Sequence, residues 1–311
     1  MLTIRQMNIF RAVMESTTLT DAATSLGISQ PGVSKSIVEL ENVLGFPLFR
    51  RRAGRLAPTK AARSFYAEVL IALRTMAAVE RAAENLREAR TGHVRIAATS
   101  SLMNSLIPTA VKLFQCLRPD AHITLYSRLN HEVVRMVADL QVDFGMVLAP
   151  TNDAGTVARN ICTAELVAVM PTGHPLTERE AISVQDLRDY PIIAHASDLP
   201  IGGELNQKFQ EAGCERAISV EISQSAAACS LVQAGAGLAV VDGFSLVNGA
   251  FPLLEARPFL PTVHIGARLL LPEAQDPSRL ARVFMGCLEE VISSVSRNFD
   301  PRSRIKICSQ S

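Results

Sequence analysis

Residues 19–41 read LTDAATSLGISQPGVSKSIVELE, and their spacing predicts two short helices joined by a tight turn. Thr18 offers a hydroxyl cap, with Asp21 three residues on, to a first helix over Leu19 to Leu26. Its inner face carries Ala22, Ala23 and Leu26. Gly27, Ile28 and Ser29 make the break. Pro31 suits the first turn of the next helix, because its missing N–H would be unpaired there anyway. That helix packs through Val33, Ile37, Leu40 and Leu44, at steps of four, three and four, and Gly45 closes it. Upstream, Met7, Phe10, Val13 and Met14 also recur at helical spacing.

Two helices about a Gly-containing turn fit the helix-turn-helix pattern, although an ordinary helical hairpin would read alike. The outward face of the second helix separates the two readings. Pro31, Lys35, Val38 and Asn42 point away from the packing stripe, with Ser34 beside them. This face carries one charge and several small or amide groups, which suits a major groove better than bulk water. Downstream, Phe46, Leu48 and Phe49 would anchor a basic wing whose Arg50, Arg51, Arg52 and Arg55 are free for phosphates. A run of charge alone is usually solvated surface. Four Arg within six residues beside this pattern point to nucleic acid.

With residues 44–51, LGFPLFRR, the stretch resembles the winged helix-turn-helix of LysR-type transcriptional regulators. The resemblance is sharpest in the first sixty residues and extends over the whole chain in length and domain order. It implies DNA contacts from Thr18, Ser29, Gln30, Pro31, Ser34, Lys35, Val38, Arg50, Arg51, Arg52, Arg55 and Thr59. Lys35 stands where the family usually has Arg, Gly32 where it often has Ala, and Arg50 where it often has an acid. Lys35 would exchange a bidentate guanine contact for a single charged one.

The chain has 311 residues, enough for two or three domains, and 48% apolar against 20% charged residues predicts a globular fold. The net charge of +1 conceals an asymmetry: residues 1–90 hold 13 Lys and Arg against 8 Asp and Glu, and the remainder 18 against 22. A basic front predicts an anionic partner. Six scattered cysteines without a C-x-x-C pair read as reduced, mostly buried thiols. The first residues lack a signal-peptide pattern, and the least polar stretch, Ser225 to Val241, is too interrupted to span a bilayer. The expected location is the cytoplasm of a prokaryotic cell, with no membrane partner.

Lys60 to Arg90 contains no Gly or Pro and predicts one helix of about 46 Å at a rise of ~1.5 Å per residue. Ala62, Phe65, Val69, Ala72, Met76, Val79, Ala83 and Leu86 alternate by three and four. They form a heptad seam, in which Phe65, Val69, Met76 and Val79 are the expected dimer contacts. A lone amphipathic helix lying on its own domain is the alternative. Beyond Thr91 and Gly92 the pattern becomes α/β, with strands at His93 to Ala98, Ile123 to Arg128, Phe144 to Leu148, Leu166 to Met170, Pro191 to Ala194, Leu238 to Val241 and His264 to Leu271. Helices fall at about Met103 to Leu117, His131 to Leu140, Ala226 to Ala234 and Pro277 to Arg297. This alternation predicts mostly parallel sheets.

The expected architecture is therefore an all-α winged helix-turn-helix (1–59), a linker helix (60–90) and an α/β effector domain (91–311). The resemblance implies two Rossmann-like, periplasmic-binding-protein-like subdomains in the last, at about 92–163 with 263–300 and about 164–262.

No nucleophile elbow, P-loop, zinc-type Cys/His spacing or dinucleotide fingerprint occurs, so neither enzyme activity nor a metal or cofactor is expected. The cluster Thr99, Ser100 and Ser101 follows the carboxyl end of the first strand and opens a helix, where N–H groups favour an anion. Simple capping would need only one hydroxyl. The family places ligand contacts at this turn. Partners are expected from Ser127, Arg128 and Asn130 in one subdomain, and from His195, Asp198, Ser223, Gln224 and Asp242 in the other. Arg128 and Asp242 should face inwards, Asp242 towards any cationic end of the ligand. Residues 240–245, VVDGFS, resemble the amino-acid- and opine-sensing branch, with Gly243 replacing its Pro. The partners implied are double-stranded promoter DNA, a small carboxylate or amino-acid-derived effector, a second copy in a homodimer assembling to a tetramer, and RNA polymerase. An α/β enzyme or solute binder with a helical appendage is the competing reading, but it needs neither the Arg-flanked motif nor the heptad helix.

Overall fold

The computed structural model describes residues 2–52, 55–87, 92–214, 217–297, 302 and 304–307. The chain divides into two compact units, Met1–Arg87 and Glu88–Ser311.

In the first unit, Thr3 caps α1 (Ile4–Glu15), Thr18 caps α2 (Leu19–Leu26) and Ser29 caps α3 (Gln30–Leu44). Gly27 (φ 65°) and Gly45 (φ 78°) end the second and third helices in the left-handed region, where a side chain would be strained. The wing is a hairpin of β1 (Phe49–Arg52) and β2 (Arg55–Pro58), with Phe49 opposite Pro58 and Arg52 opposite Arg55, so the domain is not purely helical. α4 (Lys60–Arg87) follows. Phe10 is fully buried at the centre, its ring 5.9 Å from Phe49, 5.4 Å from Phe65 and 6.2 Å from Tyr66. Helix, wing and linker thus share one core.

The second unit runs β3 (His93–Ala98), α5 (Ser100–Leu117), β4 (His122–Ser127), α6 (Asn130–Ala138), β5 (Phe144–Leu148) and β6 (Thr156–Pro171). Then come β7 (Ile182–Ser183), α7 (Val184–Leu187), β8 (Ile192–His195), α8 (Pro200–Glu211), β9 (Ile218–Ile222), α9 (Ser225–Gln233) and β10 (Leu238–Asp242). β11 (Leu254–Leu260), β12 (His264–Pro272), α10 (Arg279–Arg297) and β13 (Ile305–Ile307) complete it.

The strand order is β4-β3-β5-β12-β6-β10-β8-β9. The sheet is mixed, not mostly parallel: β3 runs parallel to β4 and β5, and β8 to β9 and β10, whereas β6 pairs antiparallel with β10, β11, β12 and β13. β6 spans both halves. It lies against β12 from Thr156 to Glu165 and against β10 from Leu166 to Val169, so its partner changes between Glu165 and Leu166. Its first half escapes the sequence pattern because exposed positions interrupt the apolar run.

α8 also escapes it. Its buried stripe, Ile201, Leu205 and Phe209, has helical spacing, but Gly202 and Gly203, poor helix formers, interrupt it. Gly202 is required by close approach: a Cβ there would stand 1.9 Å from the Ala196 carbonyl oxygen. Cys162, Cys229 and Cys287 are buried and Cys214 half-buried, none of them in a disulfide, while Cys116 is exposed and Cys308 lies outside the described residues.

Candidate functional site

Two surfaces carry the residues singled out above, one in each unit. On α3, Gln30, Pro31, Lys35, Val38 and Asn42 are exposed and Ser34 is half-buried. Five of them, with Glu39, line a shallow hollow. Val38 is 52% exposed, an apolar group held where a thymine methyl could meet it. Lys35 Nζ lies 3.9 Å from Glu39, an exposed pair that offers little resistance to a phosphate or base.

Thr18, Ser29 and Thr59 all have capping duties. Thr18 and Ser29 hydroxyls accept the N–H of Asp21 and Gly32, while Thr59 Oγ1 donates to the Pro47 carbonyl and accepts the Ala62 N–H. Arg50 is exposed, and the side chains of Arg51, Arg52 and Arg55 lie outside the described residues. Sequence reasoning missed Glu41. Its Oε1 accepts the N–H groups of Leu48 (2.6 Å) and Phe49 (3.0 Å), fastening the wing to α3. The signal was a lone acid on the inner side of the motif.

The expected dimer seam divides in two. Val69 is buried (2% exposed) and Phe65 packs on Phe10, so the unit's own core covers both. A heptad stripe specifies an apolar face, not what covers it, and the first turns of α4 lie on α1. Farther along, Ile71, Met76 and Val79 are exposed. The side chain of Leu86 lies outside the described residues.

In the second unit, a small, partly open cavity is lined by Thr99, Ser100, Ser101, Arg128, Leu129, Asn130, Leu148, His195, Leu199, Pro200, Ile201, Ser223, Gln224 and Ser225. The lining comes from the turns that carry β3 into α5, β4 into α6, β8 into α8 and β9 into α9, so four helix starts converge there. The N-cap residues of α5, α8 and α9 (Thr99, Leu199 and Gln224) make no side-chain cap, which leaves first-turn N–H groups for a ligand. The N-cap residue of α6, Leu129, makes no side-chain cap either, but there Glu132 accepts the Leu129 N–H at 2.9 Å and brings an acid to the helix start.

Eight expected ligand residues line this cavity: Thr99, Ser100, Ser101, Arg128, Asn130, His195, Ser223 and Gln224. Three do not. Ser127 and Asp198 are exposed and outside the lining, since neighbouring side chains in these turns point apart. Asp242 is wholly buried behind the cavity, not facing it. Its Oδ2 accepts from Ser101 (2.8 Å) and Ser225 (2.6 Å), its Oδ1 accepts the Ser245 N–H (3.1 Å), and the Ser245 hydroxyl lies 3.2 Å from both oxygens. A carboxylate so satisfied is not an open cation site. Asn130 is also committed: its amide exchanges hydrogen bonds with the backbone of Leu148, donating at 2.6 Å and accepting at 3.1 Å. Ser225 and the start of α8 were missed, because only the folded sheet brings them to this wall; Ser245 belongs to the Asp242 cluster behind it.

Arg128 is the one charged side chain of the lining, and it donates to the Ser127 carbonyl at 2.9 Å. His195 is 4% exposed, and its Nε2 is 3.0 Å from Ser225 Oγ. Burial pushes its imidazole down to about 4, against the opposing charge of Asp242, so the ring is neutral at neutral pH. Cys229 Sγ is pushed up to about 12 by burial and then by Asp242, which keeps it protonated and inert. Two buried polar atoms of the lining, Thr99 Oγ1 and His195 Nδ1, have no partner among the described residues. Among the described residues, no group of three or more His, Cys, Asp or Glu could hold a metal, and no helix is long and apolar enough to cross a membrane.

Residues 4–63 match the family described as bacterial regulatory helix-turn-helix protein, lysR family, and residues 87–293 match the LysR substrate binding domain. The transcriptional activator protein LysR of Escherichia coli (strain K12) is 29% identical over 297 residues, 96% of each chain. The regulatory protein NocR of Agrobacterium fabrum (strain C58) is 26% identical over 296 residues, 95% of this chain and 98% of that one. Among solved structures, full-length CbnR complexed with its target DNA has the same fold. It shows a TM-score of 0.53 and 22% identity, covering 93% of this chain and 99% of that one.

Proposed function

Because the chain belongs to the LysR family of bacterial transcriptional regulators, both of whose modules it carries in order, we propose that its cleft binds a small, amino-acid-derived carboxylate. Occupancy then alters how the protein binds or bends promoter DNA. The chain is a ligand-responsive DNA-binding regulator, not an enzyme.

One observation carries the ligand class. Three helix starts without side-chain caps meet in one cavity whose lining holds Arg128 and no acid. N–H groups and dipoles of that sense favour an anion. In the other unit, Ser34, Lys35 and Val38 read base edges while Arg50, Arg51, Arg52 and Arg55 hold phosphates. Met76 and Val79 form the contact between copies, a homodimer that assembles to a tetramer and engages RNA polymerase at the promoter.

Footprinting of the DNA upstream of its own gene tests the reading, with and without candidate carboxylates. Ser100→Ala and Arg128→Ala should abolish the ligand response and leave ligand-free protection nearly unchanged. A parental response in both variants would move the effector site out of this cleft.

A further inference from the structure

A chain of buried hydrogen bonds runs from one subdomain to the other beneath the cavity, and its polarity can be deduced. Asp242 Oδ2 stands 2.6 Å from Ser225 Oγ, so the single serine proton must point at the carboxylate. Ser225 then meets His195 Nε2, 3.0 Å away, with a lone pair only, and Nε2 must carry the proton. The buried, neutral ring therefore presents Nδ1 as a bare acceptor, and Nδ1 has no partner among the described residues. Ser101, at the start of α5, also donates to Asp242. The same carboxylate thus ties the anion-binding turn to the imidazole.

We propose that His195 selects the effector. Asp242, acting through Ser225, holds the imidazole in its Nε2–H form, and the bare Nδ1 accepts an N–H from an ammonium group that the effector carries beside its carboxylate. Asp242 is a positioning residue, and its charge behind the ring favours a cationic donor over a hydroxyl. The effector class is then an α-amino carboxylate, bridging α5 and β8 with opposite charges. This rests on the cleft being the effector site, as argued above.

The reading is tested on the full chain in two ways. In ¹⁵N-histidine-labelled protein, long-range ¹H–¹⁵N spectra should show His195, identified by its loss in His195→Gln, as the Nε2–H tautomer. Asp242→Asn and Ser225→Ala should release it to the Nδ1–H form or a mixture. Ser225→Ala leaves the Ser101 and Ser245 bonds to Asp242 in place, so it remains informative if Asp242→Asn does not fold. An Nδ1–H tautomer in the parent, or one indifferent to Ser225→Ala, overturns the proposal. Separately, calorimetry compares the common α-amino acids with their des-amino carboxylic acids. The best-bound amino acid should exceed its counterpart by about tenfold or more, and His195→Leu should erase that ratio. Equal binding of the two members, lost in Ser100→Ala, overturns the proposal and leaves the anion cleft standing. Binding that ignores Ser100→Ala, or no binding by any probe, counts against the cleft reading itself, and the tautomer still decides the role of His195.

Discussion

The two units arrange their candidate binding residues differently. In Met1–Arg87 they lie within residues 18–59, one continuous stretch, on the outer face of α3 and the wing. In Glu88–Ser311 they come from four turns spread between Thr99 and Ser225, and Thr99, Ser100, Ser101, His195 and Ser225 among them are buried. The difference follows from what each surface must grip. Duplex DNA is larger than the domain, so recognition needs a convex element with exposed side chains. A small effector must be desolvated, so recognition needs helix starts and polar atoms converging on a cavity.

Substitutions that separate the two units test this contrast. Phe10→Ala removes the ring on which Phe49, Phe65 and Tyr66 converge and should cost about 3–5 kcal/mol. Calorimetry with a bound amino acid should show the cleft intact while operator binding is lost in gel shifts. Loss of both would mean that the units do not fold independently.

The next largest effect is acid sensitivity confined to one unit. His195 titrates near 6.5 when unfolded and about 4 when folded, so between those values the unfolded chain binds more protons. Its contribution is complete above pH about 6.5 and is lost progressively down to pH about 4, by about 3 kcal/mol. Residues 1–87 contain no histidine, so the first unit has no such slope in this window. Urea unfolding at pH about 7 and about 4.5 checks it, and His195→Gln should flatten the dependence. A parental slope in that variant assigns it to other groups.

Smaller effects separate reading from holding within the DNA-facing unit. Ser34→Ala or Lys35→Ala should cost about 1–3 kcal/mol on the cognate site and relax preference at one base position per half-site. Selection from randomised operators would show this, and a uniform loss over all sequences would contradict it. Arg50→Ala should weaken binding to every sequence and lower the salt slope by about one. Titrations across ionic strength that keep the parental slope would exclude Arg50 from the phosphates.

Local effects explain which parts could be read from the chain alone. The cap at Thr18, the breaks at Gly27 and Gly45, and the stripe Val33, Ile37 and Leu40 all act over a few residues. The wing's basic run is equally local. The cluster Thr99, Ser100 and Ser101 was legible as a strand-to-helix turn. Val69 was legible as an apolar position on α4 but not as a core residue, because periodicity is silent about what covers a face.

The amino-acid sequence by itself determined the helix-turn-helix, the basic wing, the long helix and the α/β character of the rest, since each arises from contacts within a turn or two of backbone. Only the tertiary structure decided that Asp242 is a buried floor and not a ligand, that Ser225 and the start of α8 complete the wall, and that His195 keeps a bare Nδ1. Those roles depend on strand order. Bringing β8 and β9 beside β10 sets residues far apart in the chain at hydrogen-bond distance, and such proximity leaves no mark in local spacing.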